Sequence, residues 1–355
     1  YLLSEIFGYQ HWYGRLINLI FSSLGLWYFF ILVKRYFSSK IAFNATLILL
    51  FSIWFTYSRK IMPDTFSMSI ILASIYFGTN YFHSSSKRVF NLCLYFIFAT
   101  LGMLSKLPSA YLLALFILFA FDKKIELSKK IIFSLTSLIS LTILVSWYFY
   151  WAPHLVETYN FLYFFMGNSI FEGVKDIGTY IIPTLDNFYN SALKYIGFLV
   201  FLIGLFYMFR KKNIPLIHVF TISSFSFLVI VIKMGHNFHQ HAYYIIPFVP
   251  VMALLAGYGL DQIKYKKTSL ILLISICSEG LLNCHHDFII PSKNLTLLTL
   301  ETHLDKVSKK DDLILINSDS SSTPMYFAHR KGWSNSNHKI TQENYIKELQ
   351  KNGLK

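Results

Sequence analysis

The chain of 355 residues is 54% hydrophobic and only 14% charged, with 32 Lys and Arg against 18 Asp and Glu. Soluble domains carry about 25% charged residues, so this composition excludes an ordinary soluble globule and places the chain in lipid. The positive balance does not point to nucleic acid, because the cations sit in short segments between apolar runs, where they act as topology signals.

Residue 1 is Tyr, and no charged start with a short apolar core and cleavage site precedes the first apolar run. The chain therefore reads as a piece whose beginning is missing. A spanning helix needs about 20 mostly apolar residues, fewer inside a bundle. Ten runs meet that expectation: Leu16 to Val33, Ile41 to Tyr57, Thr65 to Phe82, Val89 to Leu104, Leu107 to Phe121, Ile131 to Trp151, Tyr195 to Phe209, Ile214 to Ile232, Tyr243 to Leu260 and Thr268 to Leu282. The sequence thus predicts an α-helical polytopic membrane protein with about ten transmembrane helices over residues 1–284.

The connections alternate in charge. Lys34, Arg35 and Lys40, the pairs and runs at 87–88, 123–130 and 210–212, and Lys264, Lys266 and Lys267 give one side fifteen cations; the other has seven, spread over more residues. By the positive-inside rule the first side is cytoplasmic. The outward set then includes the turn after Tyr57, the turn at Ser105 and Lys106, a long loop over 152–194 and the loop from Lys233 to Ala242. In the long loop, Tyr159, Phe161, Tyr163, Phe164, Phe165 and Phe171 predict short amphipathic helices lying in the interface. From His285 polarity rises, and Asp311 to Asn317 reads as a buried strand followed by a turn. This predicts a small outward-facing α/β domain over 285–355, ending in an amphipathic helix from Tyr345 that suggests further chain beyond Lys355. Cys93, Cys277 and Cys284 lie in or beside apolar runs without metal-ligand spacing and read as packing residues.

The candidate chemistry is in the outward turns. Ser58-Arg59-Lys60-Ile61-Met62-Pro63-Asp64-Thr65 holds two cations and a carboxylate. Pro63 suits a first helical turn and an acid suits its positive end, so Asp64 is either a helix-terminal residue or a site carboxylate, with Arg59 and Lys60 as anchors or anion ligands. Lys106 has only Ser105 and Ser109 as polar neighbours in sequence, and a lysine there snorkels or meets an anion such as phosphate. His236, His239 and His241 offer imidazoles for a divalent metal. Their spacing matches no standard motif, and hydrogen bonding to a substrate or phosphate by His241 with Tyr243 is the other reading. His285, His286 and Asp287 repeat the pattern weakly. In the tail, Tyr326, Arg330, Lys331 and Trp333 combine cations with aromatics suited to a sugar or phosphate, or form a solvated loop. No serine-histidine-acid set, glycine-rich phosphate loop or paired cysteines can be placed.

Taken in order, Arg15-Leu16, Ser58-Arg59 through Met62-Pro63-Asp64-Thr65, Gly102-Met103-Leu104-Ser105-Lys106-Leu107-Pro108, His154-Leu155-Val156-Glu157-Thr158 with Phe164-Phe165-Met166-Gly167, His241-Ala242-Tyr243-Tyr244 leading to Pro247 and Pro250, and Tyr326 with Arg330-Lys331-Gly332-Trp333 form a pattern. It resembles the GT-C membrane glycosyltransferases of the protein O-mannosyltransferase and lipid A aminoarabinose transferase type, in their bacterial members. The resemblance implies transfer of a sugar from a polyprenyl-phosphate donor to a lipid or protein acceptor, in a cavity facing the periplasm of a bacterial inner membrane. It implies a principal acid in the first outward loop, here expected upstream of Tyr1, with Asp64 as the second-loop acid, Lys106 as the lysine of the next outward turn, and in some relatives a metal between outward loops. The alternative function, a transporter or flippase, predicts internal repeats and charges at midplane breaks, and neither is evident. A structural subunit would leave the outward polar clusters unexplained.

Overall fold

Serine and proline decide where the apolar runs break. In the computed structural model, which describes residues 2–8, 10–84, 87–159, 167–319 and 321–355, the run from Ile41 to Tyr57 is not one helix. It divides into Ser39–Leu50 and Ile53–Ser58 at Ser52, whose hydroxyl accepts from the Trp54 amide at 3.1 Å and donates to the Leu49 carbonyl at 2.6 Å. Pro108 likewise opens a tighter stretch that starts with 3-10 turns.

The chain divides into two units, Trp12–Cys284 and Tyr1–His11 with His285–Lys355. The first contains α1 (Tyr13–Tyr36), α2 (Ser39–Leu50), α3 (Pro63–His83), α4 (Arg88–Ser105), α5 (Leu107–Phe121), α6 (Leu127–Thr158), α7 (Ile170–Thr179), α8 (Lys194–Arg210), α9 (Ile214–Met234), α10 (Ala242–Gln262) and α11 (Lys266–Asn283). Helix therefore occurs at every one of the ten expected spans, but among the described residues five helices are long and apolar enough to cross a membrane: α1, α4, α6, α9 and α10. A sixth arises if Ile181–Ala192 and α8, bent by 96° at Leu193, count as one span. By that measure the other expected spans fall short: α2 and α5 are short, α3 carries many polar residues, and α11 includes Lys266, Lys267 and Glu279.

Burial orders the bundle. In α10 every residue from Val249 to Leu260 is buried, whereas most of α6 is open, with Leu135, Leu138 and Ile139 exposed. Such apolar exposure is costly in water and natural against lipid. Small residues let the central helices touch. A Cβ at Gly204 of α8 would lie 1.9 Å from the Leu255 carbonyl oxygen of α10, and one at Gly257 would meet Ala45 of α2 at 2.7 Å. These are the close approaches that small residues permit in membrane bundles.

In the long loop, α7 is amphipathic and exposes Ile170, Phe171 and Val174. Ser169 and Glu172 form a reciprocal capping box at its start, with Ser169 Oγ accepting from the Glu172 amide at 3.2 Å. The aromatic stretch Phe161, Tyr163, Phe164 and Phe165 lies outside the described residues. The second unit contains β1 (Leu313–Ile316), α12 (Thr323–Ala328), β2 (Lys331–Ser334) and α13 (Glu343–Lys351). The strands run parallel, with Leu313 opposite Lys331 and Ile316 opposite Ser334, and β1 is half-buried.

Candidate active site at the ends of α3, α4 and α10

Pro63 occupies the first turn of α3, and its fixed φ suits that position. Met62, not Asp64, stands at the N-cap, and it makes no side-chain cap hydrogen bond. Asp64 is instead directed across the bundle. Its side chain is fully buried, and Oδ1 accepts a hydrogen bond from the ammonium of Lys106, itself only 15% exposed, at the C-terminal end of α4. Of the two readings open for Asp64, the structure therefore gives a buried ion pair and not a plain cap. The second carboxylate oxygen, Oδ2, is buried and has no hydrogen-bond partner among the described residues.

The pair is held by neutral groups. Ser67, one turn below Asp64, donates to the carbonyls of Gly102 at 2.7 Å and Lys106 at 3.1 Å, which clamps the Lys106 turn to α3. Asn18 of α1 donates to the carbonyls of Tyr57 at 3.0 Å and Lys60 at 2.7 Å, while its Oδ1 accepts from Thr65 at 3.1 Å. One buried amide thus ties the start of α3 and the preceding cationic turn to α1. Tyr111 of α5 donates to the Pro247 carbonyl at 2.9 Å and brings in the 3-10 turn that opens α10.

That turn supplies the aromatic wall. The Lys106 ammonium lies 4.4 Å from the ring centre of Tyr243 and 4.9 Å from that of Tyr244, within cation–π range. His241 stacks on Tyr243 at 5.0 Å, and Tyr243 faces Tyr57 at 6.0 Å. Lys60 lies over Tyr57 at 4.6 Å; Arg59 lies over Phe55 at 4.7 Å, with Nε donating to the Phe55 carbonyl at 3.2 Å. The structure therefore brings Asp64, Lys106, His241 and Tyr243 into one cluster, with Lys60 joined to it through Tyr57. Asn18, Thr65, Ser67, Tyr57 and Tyr244 complete it. A lone asparagine in the apolar run after Leu16 was the one sequence signal for this set, since an amide in a span must find partners.

The metal expectation is corrected. His236 and His239 pack against each other and against Tyr180, with ring centres 4.5 to 4.7 Å apart, while His241 turns to Tyr243. They do not converge as a ligand set, and among the described residues no group of three or more His, Cys, Asp and Glu is placed to hold a metal. The backbone explains the split: Gly235, with φ of +51°, turns the chain so that the His236 amide donates to Asp176 at 3.0 Å, binding this turn to α7. Arg330 belongs to the other unit, and its buried guanidinium is engaged by Asp305 at 2.7 Å and by the Ser308 carbonyl at 3.1 Å. It braces that unit, where Tyr326 also donates to the His11 carbonyl at 2.8 Å.

Residues 1–151 match the family model described as dolichyl-phosphate-mannose-protein mannosyltransferase. The crystal structure of ArnT from Cupriavidus metallidurans bound to undecaprenyl phosphate aligns with a TM-score of 0.63 at 14% identity, over 99% of this chain and 78% of that one. The apo structure of the same protein aligns at 0.60 and 15%, over 99% and 76%. At such identity the likeness is one of fold. Comparison with curated protein sequences gives no match.

Proposed function

We propose that this chain belongs to the GT-C superfamily of membrane glycosyltransferases and transfers a sugar from a polyprenyl-phosphate donor to a lipid or protein acceptor at the periplasmic face of a bacterial inner membrane. The observation that carries the reading is the buried Asp64–Lys106 pair, in which one buried carboxylate oxygen has no hydrogen-bond partner among the described residues and the ammonium lies against an aromatic wall. Two further observations support the donor class: the family description names dolichyl phosphate mannose, and the aligned structure holds undecaprenyl phosphate, both polyprenyl phosphates. The charge asymmetry of the connections supports the orientation.

Breaking a sugar–phosphate bond leaves an anionic lipid phosphate, and a cation fixed in a low-dielectric site stabilises that charge as it develops. Lys106 is the residue for this role, with Lys60 and Arg59 at the same end of the bundle. Asp64 aligns the acceptor hydroxyl or takes its proton through Oδ2, while its bond to Lys106 holds the carboxylate in place. Tyr243 and His241 offer stacking and hydrogen-bonding surface for the sugar. Neither role requires a nucleotide.

The test is release of polyprenyl phosphate from a radiolabelled lipid-linked sugar by the full-length protein reconstituted with membrane acceptors. Asp64→Asn, which keeps the shape, should lower turnover by about 100-fold or more, within the range general acid–base groups supply. Wild-type turnover in that variant removes Asp64 from the reaction, and solute uptake without sugar transfer overturns the enzyme reading in favour of a transporter.

A further inference from the structure

A cavity of about 770 Å³ lies at the opposite end of the bundle from Asp64. Asp64 opens α3 and His83, on the cavity wall, closes it, so the helical rise alone separates them by about 28 Å. The volume falls within the range of about 300 to 1,000 Å³ typical of small-molecule sites. Its wall is apolar, with Leu32, Leu72, Leu115, Val219 and Leu254 contributed by five different helices. Polar side chains occur where those helices end: Tyr36, Thr79, His83, Asp122 and His218. A space of this size walled by leucine and phenylalanine forfeits dispersion contacts unless apolar matter fills it. In a bilayer that matter is hydrocarbon chain.

The rim argues for the headgroup. Lys34 and Arg35 end α1, Lys123 and Lys124 follow α5, and Lys211 and Lys212 precede α9. Arg35 reaches the wall itself, donating to Thr79 at 3.2 Å. Tyr36 shares a hydrogen bond with His83 at 3.3 Å. The acids nearby are already engaged: Asp122 accepts from the Lys124 amide at 2.8 Å, Glu126 pairs with Lys129 at 2.9 Å, and Asp261 pairs with Lys40 at 2.9 Å. Cations beside an apolar slot at a helix terminus are the arrangement that selects anionic lipid.

We propose that this cavity holds an acyl chain of an anionic phospholipid, with the lipid phosphate at the rim formed by Arg35, Tyr36, His83 and His218. The site shares no residue with the Asp64–Lys106 cluster and does not depend on the function assigned to that cluster.

The experiment uses the full chain in vesicles of equimolar phosphatidylglycerol and phosphatidylcholine, one lipid at a time carrying a diazirine on its acyl chain. After irradiation, labelled peptides are quantified relative to the lipid-facing surface of α6. The phosphatidylglycerol probe should label residues 29–37, 72–83 and 112–122 about tenfold more than the phosphatidylcholine probe. Val219→Trp, which fills the cavity, should remove that labelling, and Arg35→Gln should bring the two probes to equality. Equal labelling by both probes in the wild type, or label confined to α6, overturns the proposal. If Val219→Trp fails to fold, the wild-type map and Arg35→Gln decide alone.

Discussion

Asp64 and Lys106 are dependent on each other in a way that separates chemistry from stability. Removing one member of a buried pair strands the other charge and costs about 3–5 kcal/mol, whereas replacing both by neutral groups is far milder. Lys106→Met should therefore lower the thermal midpoint of the purified protein, and adding Asp64→Asn to it should recover most of the loss without restoring transfer. Thermal unfolding of the two singles and the double in one detergent, with transfer assayed in parallel, checks this. Additive losses in the double would mean the residues are not coupled. Arg330 is a different case, since its guanidinium is engaged by Asp305 and the Ser308 carbonyl within its own unit. There, hydrogen bonds from Arg330 and Lys310 hold the Asp305 carboxyl below its ordinary range, and bonds from Lys310 and His329 outweigh burial to do the same for Glu301. A depressed carboxyl contributes stability that is complete above its unfolded value, about 4, and is lost as pH falls through the folded one. Pepsin cleavage between Thr299 and Trp333 of the full chain should therefore accelerate more steeply below about pH 4 than cleavage elsewhere. In Asp305→Asn that extra acceleration should shrink; an unchanged profile would show that the bridge does not set the acid response.

At the scale of elements, the apolar runs located the helices but not their breaks. The reason is local: Ser52 ends one helix and caps the next through its hydroxyl, an effect no hydropathy count registers. Helix α3 shows the complementary failure. Its hydroxyls at Ser69, Ser74 and Thr79 lower its apparent hydropathy, yet each donates to a carbonyl of its own helix, at 2.6, 2.8 and 2.9 Å, so burial costs it little. The cluster itself was legible as residue types in outward turns, because charges are expensive in the bilayer interior and so gather at helix ends. That Asp64 would meet Lys106, and that the three histidines would part, depended on tertiary geometry. Glycine contacts set that geometry. Gly204→Val would drive a side chain into the Leu255 carbonyl of α10, and overpacking of this kind costs about 1–3 kcal/mol. Because the Tyr243 turn opens α10, the variant should also raise the KM for the donor, whereas Gly178→Ala, at a position with open space, should leave both KM and thermal midpoint unchanged.

For the whole molecule, the orientation in the membrane is the property on which the proposed chemistry depends. Fifteen cations gather in the connections on one side and seven on the other, and the bias acts through short connections close to the helix ends. The Asp64–Lys106 cluster and the apolar cavity lie at opposite ends of α3, so one orientation fixes both, and the charge bias predicts the cluster outward and the proposed lipid slot inward. In a background lacking Cys93, Cys277 and Cys284, single cysteines at Lys124 and Asn213 should resist a membrane-impermeant maleimide added to intact cells and react after permeabilisation. A cysteine at exposed Lys306 should react in intact cells. The reverse pattern would invert the molecule and place the cluster among cytoplasmic solutes, where a lipid-linked donor presented at the periplasmic face could not reach it. Labelling of all three positions in intact cells would mean that α4, α5 and α9 do not alternate across the bilayer, which would remove the charge argument altogether.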